Sequence, residues 1–396
     1  MLTTARKVRT KSANLFTIES ATERMKLTFD ARLIKASGIG VYIQNIIKSP
    51  LLEKYELRLI HKNKDIDYFK QLLAQPELIE FNAELYSVKE LIFSPATTRN
   101  TDIFWSPHFN VPIINFAKQL QVVTIHDVFH LAFYNTLSNA QKMYAKAMIN
   151  RAVKSDIVFT VSEFSKAEIM KYTSCKPEKI KVVYNGIDFE KFNKKKPEEQ
   201  TNRILKNYHL SSPYILFVGN VKPHKNLKTA LLGFKYYCQS TSSTNLKFVI
   251  AGKRDGFITG DPEVKTMIET PFFREKVLFT GWIADEDLPS IYQKAALFIF
   301  PSIYEGFGFP PLEAMAAGCP VISSNSACMQ EIYNNAALYF YPLDETAIGE
   351  RIHEVLHNDQ IREDLVRKGL KKAQEYKWGE TVGEKLGLIE KYLSKS

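Results

Sequence analysis

The segment from Phe300 to Ile322 holds the clearest candidates for chemistry in this chain. Its sequence is F-P-S-I-Y-E-G-F-G-F-P-P-L-E-A-M-A-A-G-C-P-V-I, and the apolar runs at its two ends predict buried strands. Two prolines suit the first turn of a helix and a later glycine suits its end, so the spacing predicts a strand, a loop and a helix. Glu305 lies in the predicted loop, and Glu313 lies in the predicted helix.

The backbone of the same loop predicts an anion site. Gly306 and Gly308 have no Cβ atom, so their N–H groups can approach a ligand closely. The N-terminus of the helix that follows also favours negative charge. Carboxylates do not bind phosphate, so Glu305 and Glu313 need another target, and sugar hydroxyls are donors that suit them. A sugar diphosphate would satisfy both features.

A basic turn in the second half of the chain predicts a further anion contact. The predicted strand Tyr214–Val218 continues into Gly219 and Asn220, and then into V-K-P-H-K-N-L. Lys222 and Lys225 therefore lie between a strand end and a predicted helix. Cations in that position suit a diphosphate, and the structural alternative is a basic turn on the surface.

Polar residues follow four predicted strands in the first half of the chain. They are His108 in W-S-P-H, His126 in T-I-H-D, Ser162 in V-S-E-F-S and Asn185 in N-G-I-D. Ligands of open α/β sheets bind at the carboxyl ends of strands, so these residues predict one site. The structural alternatives are a helix cap for Ser162, a turn for Asn185 and a loop position for His108. His126 is the strongest candidate, because a His-Asp pair directly after an apolar strand is costly unless it is used.

An earlier glycine turn also has the order of a phosphate loop. The sequence S-G-I-G, which contains Gly38 and Gly40, lies between the predicted strand Lys26–Phe29 and a helical run that ends at Ile47. Strand, glycine turn and helix follow one another in phosphate loops, although this spacing is not the dinucleotide fingerprint.

Taken as a unit, E-G-F-G-x-P-x-L-E-A-M-A-x-G-x-P-V-I resembles family four of the retaining glycosyltransferases. Those enzymes have the GT-B fold, in which two Rossmann-like domains face each other across a cleft. The motifs T-I-H-D, V-S-E-F-S, N-G-I-D and G-x-x-x-P-x-K-N stand here in the order of that family. The resemblance extends from Met25 to Ser396, and it implies an α/β protein with two doubly wound parallel sheets.

The resemblance also implies roles for the candidate residues. The catalytic residues would be His126 against the donor sugar, Lys225 at the diphosphate and Glu305 at the sugar hydroxyls. Glu313 would hold the ribose. The residues expected to bind the donor are Gly219, Asn220, Lys225, Ile283, Glu305, Gly306, Phe307, Gly308 and Glu313.

The chain departs from the family pattern at two positions. Asn220 stands where many members have arginine, and Lys222 is the residue that would supply the missing positive contact. Ser37 precedes Gly38 where many members have two glycines. Gly38 and Gly40 are expected near the diphosphate or the acceptor.

Several acidic residues have alternative interpretations. Asp285-x-Asp287 spells the metal motif of another glycosyltransferase fold, and we interpret it as acidic residues at a helix start. Ile283, just before this motif, is expected beside the nucleotide base. Glu331 matches a further family position behind the site, or it is only a helix-capping acid. The family needs no metal, so no metal site is expected.

The alternation of strands and helices predicts two domains. Residues 25–195 together with 379–396 are expected to form a Rossmann-like acceptor domain, and residues 196–378 a Rossmann-like domain that binds the nucleotide sugar. Residues 189–210 are rich in Lys, Glu, Asn and Gln and predict a solvated linker. The final predicted helix, Trp378–Tyr392, has an apolar stripe and is expected to cross back onto the first domain.

The remaining predicted strands are Glu56–His61, Asp102–Trp105, Gln121–Ile125, Asp156–Val161, Lys181–Tyr184, Leu246–Ala251, Val277–Thr280, Ala296–Phe300, Val321–Ser323 and Ala337–Phe340. Helices are expected at Ile66–Leu73 and Ala140–Ser155. The region from Gln75 to Asn100 stays ambiguous.

Residues 1–24 differ from the rest of the chain, with several basic residues and no acidic residue before Glu19. This N-terminal extension is expected to be disordered. A targeting segment and a start of translation at Met25 both fit its sequence.

The composition narrows the range of partners. The 396 residues carry a formal net charge of +10, which favours anionic partners such as phosphorylated substrates or an acidic membrane surface. No Arg-rich helix or interleaved aromatic motif supports nucleic-acid binding. No apolar run approaches ~18 residues, so no transmembrane helix is expected. The four cysteines lack metal-binding spacing and are expected to be reduced thiols of a cytoplasmic protein.

The resemblance implies a retaining, metal-independent hexosyltransferase without a cofactor. GDP-mannose is the first expectation for the donor, with UDP-sugars and activated rhamnose as alternatives. The expected acceptor is a saccharide or lipid-linked saccharide of surface polysaccharide synthesis, with peripheral contact to the inner face of the membrane. Two other functions remain open: a sugar-nucleotide epimerase with two Rossmann domains, and a noncatalytic protein that binds nucleotide sugars.

Overall fold

The computed structural model describes residues 24–72, 76–84, 87, 89–90, 96–112, 119–133, 138–241, 245–252 and 261–395. The predicted N-terminal extension, apart from Arg24, lies outside these residues.

A parallel sheet of seven strands forms the first half of the chain. The strands are β1 Lys26–Asp30, β2 Glu56–His61, β3 Glu77–Glu80, β4 Ile103–Ser106, β5 Leu120–Thr124, β6 Ile157–Thr160 and β7 Ile180–Val182. Their order is β3-β2-β1-β4-β5-β6-β7. In this register Leu27 pairs with Leu57 on one side and with Ile103 on the other.

A second parallel sheet of six strands forms the second half. The strands are β8 Tyr214–Val218, β9 Lys247–Ala251, β10 Val277–Phe279, β11 Leu297–Phe300, β12 Val321–Ser324 and β13 Leu338–Phe340. Their order is β10-β9-β8-β11-β12-β13. The order reverses beside β8, and this is the strand arrangement of a Rossmann fold.

Helices connect the strands and cover the sheets. They are α1 Gly38–Ile47, α2 Ile66–Leu72, α3 Phe129–Ala132, α4 Asn139–Ala152, α5 Glu163–Tyr172, α6 Phe189–Asn193, α7 Glu198–Asn207, α8 Leu227–Thr241, α9 Pro262–Ile268, α10 Pro271–Lys276, α11 Leu288–Lys294, α12 Phe309–Ala316, α13 Met329–Tyr333, α14 Glu345–His357, α15 Asp359–Gln374 and α16 Trp378–Leu393.

Each sheet is buried on both faces, which explains the continuous apolar runs in its strands. In the first sheet one cluster joins α1 and α16 to Phe29 and Trp105, and another joins α4 and α5 to Val123 and Val158. In the second sheet α8 and α14 pack on Phe217, while α11 and α12 pack on the opposite face. The predicted doubly wound α/β architecture is therefore confirmed.

The predicted strands all form, with ends that differ by one or two residues. Strand β3 lies in the region from Gln75 to Asn100 that the sequence left ambiguous. It is a short edge strand with only two apolar residues, Leu78 and Ile79, so it has no clear periodic signal.

The prediction of a solvated linker at residues 189–210 is wrong. The segment forms α6 and α7, whose buried residues Phe192, Ile204 and Leu205 belong to the core of the second half. In α7 the buried residues Thr201, Ile204 and Leu205 occur at helical spacing among many charged ones, so composition alone obscured an amphipathic pattern. The exact domain boundaries stay a prediction.

The last helix, α16, returns to the first sheet. Just before it, the N–H of Ile187 donates to the carbonyl of Tyr376 at 2.9 Å, and Ile187 forms an isolated bridge with Lys377. A Cβ atom on Gly186 would lie 2.2 Å from the backbone nitrogen of Trp378. The chain passes between the halves near Gly186 and again near Trp378. These two segments therefore contact each other at a glycine.

Two further sequence expectations concern membranes and thiols. Within the described ranges, no helix combines the length and the apolar character that a bilayer crossing demands. All four cysteines are buried and unpaired.

Gly186→Ala should destabilise the protein by about 1–3 kcal/mol, because the added methyl group meets backbone atoms that cannot rotate away. Urea unfolding measures the change. Gly387→Ala is the control, since a Cβ atom there meets nothing within 4 Å and the change is expected to stabilise α16 slightly. Equal stabilities for the two variants would contradict the close contact.

Candidate active site

The loop between β11 and α12 has the geometry that its glycines predict. Gly308 has φ +85, and a Cβ atom there would lie 2.0 Å from the hydroxyl of Tyr333. That hydroxyl donates to the carbonyl of Gly308 at 2.9 Å. Gly318 follows α12 with φ +75, as expected for a helix C-terminus.

Three buried residues, Gly306, Phe307 and Gly308, precede α12. The N–H groups of Gly306, Phe307 and Gly308 donate to no acceptor in the part of the chain that the structure describes. The Phe307 side chain is buried, with its ring against Tyr376. The side chain therefore fixes the loop, while its amides stay free at the N-terminus of α12.

The turn after β8 is tied to this loop. Lys225 forms an ion pair with Glu305, and both side chains are less than one-fifth exposed. Asn226 adopts a left-handed conformation and donates through Nδ2 to the carbonyl of Pro301 at 3.2 Å. The N–H of Ile303 donates to the carbonyl of His224 at 2.8 Å. The cation expected at a diphosphate and the carboxylate expected at sugar hydroxyls thus meet at one place.

The first half of the chain contacts the same loop at the end of β5. The Ser162 hydroxyl donates to the carbonyl of Gly306 at 2.6 Å, and the Ser165 hydroxyl donates to the carbonyl of His126 at 2.9 Å. A Cβ atom on Gly306 would lie 2.1 Å from the His126 carbonyl oxygen. Only glycine permits this approach, so the structure brings His126 to the loop that carries Glu305.

His126 is held in one orientation and is neutral near pH 7. Its Nε2 lies 3.0 Å from the carbonyl of Pro107, which can only accept, so Nε2 carries the proton. Its ring meets Tyr42 edge-on at 4.8 Å. Burial lowers the pKa of His126 to about 4, and the charge of Lys385 adds to this effect. Burial likewise lowers the pKa of His108 to about 3, with His126 as a second cause.

Glu313 occupies a different environment on α12. The Tyr292 hydroxyl of α11 donates to its Oε2 at 2.9 Å. Burial raises the pKa of Glu313 to about 7, and the nearby Asp285 raises it further, while Tyr292 and Lys191 oppose the shift. The carboxyl group therefore changes its charge near neutral pH.

Comparison with known proteins supplies the family. Residues 199–372 match the family described as "Glycosyl transferases group 1", and residues 98–191 match "Glycosyltransferase Family 4". The two matches together cover more than half of the chain. The chain belongs to the GT-B glycosyltransferases of group 1 and family 4.

Individual relatives agree with this assignment. O-antigen chain mannosyltransferase B of Escherichia coli is 28% identical over 380 residues, which cover 89% of this glycosyltransferase and 96% of the relative. O-antigen chain mannosyltransferase RfbU of Salmonella typhimurium is 32% identical over 247 residues, 62% of each chain. The solved structure of Anabaena HepE in complex with UDP-glucose has a TM-score of 0.72 at 17% identity, and the match covers 92% of this chain and 99% of that one.

Three further predicted donor residues of the glycosyltransferase are Ile283, Gly219 and Asn220. Ile283 is buried in the core, next to the exposed Trp282. The N–H of Gly219 donates to the carbonyl of Ala251 at 3.1 Å. Asn220 is partly exposed. Their roles in donor binding stay predictions.

The two glycines of the first loop differ in their surroundings. A Cβ atom on Gly40 would lie 2.7 Å from the carbonyl oxygen of Ile34, so this glycine serves helix packing. A Cβ atom on Gly38 would lie 3.7 Å from the Phe309 ring at the start of α12. Gly38 therefore lies directly against the start of α12 in the second half.

Sequence reasoning missed several groups around the Lys225–Glu305 pair. The Asp127 carboxylate accepts from the N–H of Phe129 at 2.9 Å, and burial raises the pKa of Asp127, with Glu305 as a further cause. The ring of Phe129 packs against His224 at 4.5 Å. In the sequence, Asp127 follows His126 in T-I-H-D and His224 precedes Lys225 in K-P-H-K-N. These adjacent positions were the sequence feature that could have identified both residues.

For Ser162 and Asn185, two strand-end residues of the first half, the sequence left both a structural role and a place in the site open. Ser162 caps α5, since its hydroxyl accepts from the N–H of Ser165 at 3.0 Å, and it also contacts Gly306. Asn185 is buried, and its amide has no hydrogen-bond partner among the residues described.

Glu331 of α13 joins the two halves. Its carboxylate accepts from the N–H groups of Glu163 and Phe164 at 2.7 and 3.0 Å, and from the Tyr184 hydroxyl at 3.0 Å. Glu331 is thus a helix-capping acid, but the capped helix, α5, belongs to the other half. The match of Glu331 to a family position behind the site stays a prediction. Negative charge at a helix N-terminus is stabilising.

Metal binding was not expected. Across the described ranges, no group of three His, Cys, Asp or Glu side chains could hold a metal ion. A metal-independent reaction stays a prediction.

Glu331→Gln should weaken the contact between the halves, because a neutral amide cannot accept two charge-assisted bonds from α5. We expect the free energy of unfolding to fall by about 1–3 kcal/mol and the radius of gyration to increase. Urea unfolding and small-angle X-ray scattering measure both. Glu350→Gln removes the same charge from an exposed position and should leave both quantities unchanged. If Glu331→Gln behaves like this control, the contact of Glu331 with α5 does not hold the two halves together.

Proposed function

We propose that this glycosyltransferase transfers mannose from a nucleotide sugar to a saccharide or lipid-linked saccharide in the synthesis of a surface polysaccharide. The observation that carries the proposal is the match over 96% of an O-antigen chain mannosyltransferase. GDP-mannose is the donor we propose first. The net charge of +10 supports peripheral contact of the enzyme with an anionic membrane that presents the acceptor.

The reaction requires stabilisation of the leaving diphosphate. Lys225 and the free amides of Gly306 to Gly308 are the donors we assign to this charge. Preorganised donors of this kind stabilise developing charge without a reorganisation cost. When a diphosphate binds, it would replace Glu305 as the partner of Lys225, and this releases the carboxylate to accept hydroxyl groups of the sugar.

His126 is proposed to contact the transferred sugar from the other half. Its neutral ring donates through Nε2 to the Pro107 carbonyl, so Nδ1 is left to accept a hydrogen bond from a sugar hydroxyl. No carboxylate is assigned as a nucleophile. We therefore propose attack on the same face from which the diphosphate leaves, with retention of configuration and assistance from the leaving group.

The function is tested with purified protein, a panel of nucleotide sugars and a lipid-linked acceptor, with the product analysed by NMR. Transfer of mannose with retained configuration is expected. Epimerised donor without acceptor consumption would indicate an epimerase, and no turnover of any donor would indicate a binding protein. Transfer from a UDP-sugar alone would overturn the choice of GDP-mannose.

Glu305→Ala should abolish transfer, with a loss of at least ~100-fold in kcat, while circular dichroism shows an intact fold. Lys225→Ala should weaken donor binding in calorimetry, because the diphosphate loses its cation. Lys371→Ala, at an exposed position of α15, is the matched control. Full activity of Glu305→Ala, or unchanged donor affinity of Lys225→Ala, would remove that residue from the site.

Donor affinity should increase as the pH rises from 6 to 8, because Glu313 has a raised pKa of about 7 and only its ionised form accepts ribose hydroxyls well. The change approaches about tenfold if the ionised form alone binds. Glu313→Gln should give weak, pH-independent binding. Tyr292→Phe removes a bond that favours the carboxylate, so the transition should move to higher pH. Calorimetric titration measures all three, and a flat profile for the wild type would contradict the role of Glu313.

A further inference from the structure

The last helix carries a lysine where its apolar stripe calls for a hydrophobic residue. Val382, Leu386 and Ile389 of α16 are buried in the core of the first half. Lys385 lies on the same face and is 0% exposed. A charged side chain in such a position is rare unless it is paired.

Among the described residues, the only carboxylate that offsets the charge of this amino group is the adjacent Glu384, and no acceptor bonds to the amino group. Its Nζ lies 4.6 Å from the centroid of the Phe159 ring and 5.4 Å from that of Tyr42. It forms no hydrogen bond with any residue that the structure describes. Burial lowers the pKa of Lys385 to about 7, and the adjacent Glu384 opposes the shift. The rings recover only part of the lost hydration, so a methionine would suit the position better for folding alone.

The lysine lies one aromatic ring away from the candidate active site. The Tyr42 ring contacts both groups: its centroid lies 5.4 Å from Lys385 Nζ, and it meets the His126 ring edge-on at 4.8 Å with an interplanar angle of 86°. The Tyr42 hydroxyl lies 2.9 Å from Thr124 Oγ1, which fixes the ring against β5. Helix α16 is itself held at β7, because the Thr381 hydroxyl donates to the carbonyl of Tyr184 at 2.9 Å.

We propose that Lys385 is a positioning residue for His126: its buried ammonium holds the Tyr42 ring against the histidine and opposes protonation of the imidazole. The enzyme thereby keeps a neutral His126 when the anionic diphosphate of the donor enters the cleft. A diphosphate would otherwise favour the imidazolium form by charge attraction. This inference rests on the proposed role of His126 beside the transferred sugar.

The charges around His126 are consistent with this role. His108 after β4 is neutral over the relevant range, and Asp127, next to His126 on the chain, is held by the N–H of Phe129. Lys385 is charged below about pH 7, so it carries its charge throughout the range in which His126, with its pKa of about 4, takes up a proton. Asp127 in turn feels the charges of Glu305, His130 and Lys225. His108 feels those of Asp30, His130 and Arg32.

The decisive experiment follows the histidine signals by NMR in Lys385→Met. This variant keeps the size of the side chain and removes its charge. We expect the pKa of His126 to rise by roughly one unit, as for a unit charge at an effective dielectric of about 20. The protein contains eight histidines, so His126→Gln assigns the signal. Lys391→Met, at an exposed position of the same helix, should leave the titration unchanged.

A second measurement follows transfer activity between pH 5 and 8. Between pH 8 and pH 5, the fraction of transfer activity that Lys385→Met loses should be at least threefold that of the wild type. At pH 8 the activities of the two proteins should be similar. The NMR titration needs no substrate, so its outcome is independent of the proposed mannosyl transfer. An unchanged His126 titration in Lys385→Met would overturn the proposal even if activity fell.

Folding controls separate positioning from a structural role. The folded state lowers the pKa of Lys385 from 10.5 to about 7, so the unfolded state binds more protons between these values. The buried charge of Lys385 therefore destabilises the folded protein fully below about pH 7, and this effect disappears as the pH rises towards 10.5. Lys385→Met should therefore unfold at a higher temperature than the wild type at pH 6, and the difference should shrink at pH 9. A lower melting temperature at pH 6 would show instead that the lysine stabilises the core.

Discussion

The contact between the Gly306 carbonyl and the Ser162 hydroxyl is the interaction on which the candidate active site depends. Ser162 caps α5 in the first half, and the same oxygen donates at 2.6 Å to a loop of the second half. The absence of a Cβ atom at Gly306 lets the His126 carbonyl approach the loop. One hydroxyl group and one glycine therefore bring three elements together: the end of β5, the start of α5 and the loop that carries Glu305.

Electrostatics in this crevice follow from burial. His126 and His108 are neutral because burial lowers their pKa values, and Lys225 is compensated by Glu305. The crevice therefore presents little uncompensated charge before a donor binds. In the proposed function, a nucleotide diphosphate would draw Lys225 away from Glu305, and this exchange would couple donor binding to release of a carboxylate for the sugar. The low local dielectric makes each of these interactions stronger than in water.

Local patterns were sufficient to predict the parts of the site that one segment builds. The E-G-F-G loop, the helix start at its prolines and the lysine turn after β8 all follow from turn and helix chemistry within about ten residues. The same holds for the strands, whose apolar runs report burial on both faces. Composition failed at residues 189–210, where sparse buried residues determine two helices: Phe192 in α6, and Ile204 and Leu205 in α7.

Contacts between distant segments could not be predicted in this way, because their geometry depends on how the two sheets meet. Glu331 caps a helix that begins 168 residues earlier, and no local pattern identifies that partner. Lys385 is an intermediate case. Its position on the apolar stripe of α16 was visible in the sequence as a conflict between side chain and burial, although its neighbours Tyr42 and Phe159 were not. A stripe interrupted by an unpaired charge is costly for folding, and conflicts of this kind are expected at functional positions.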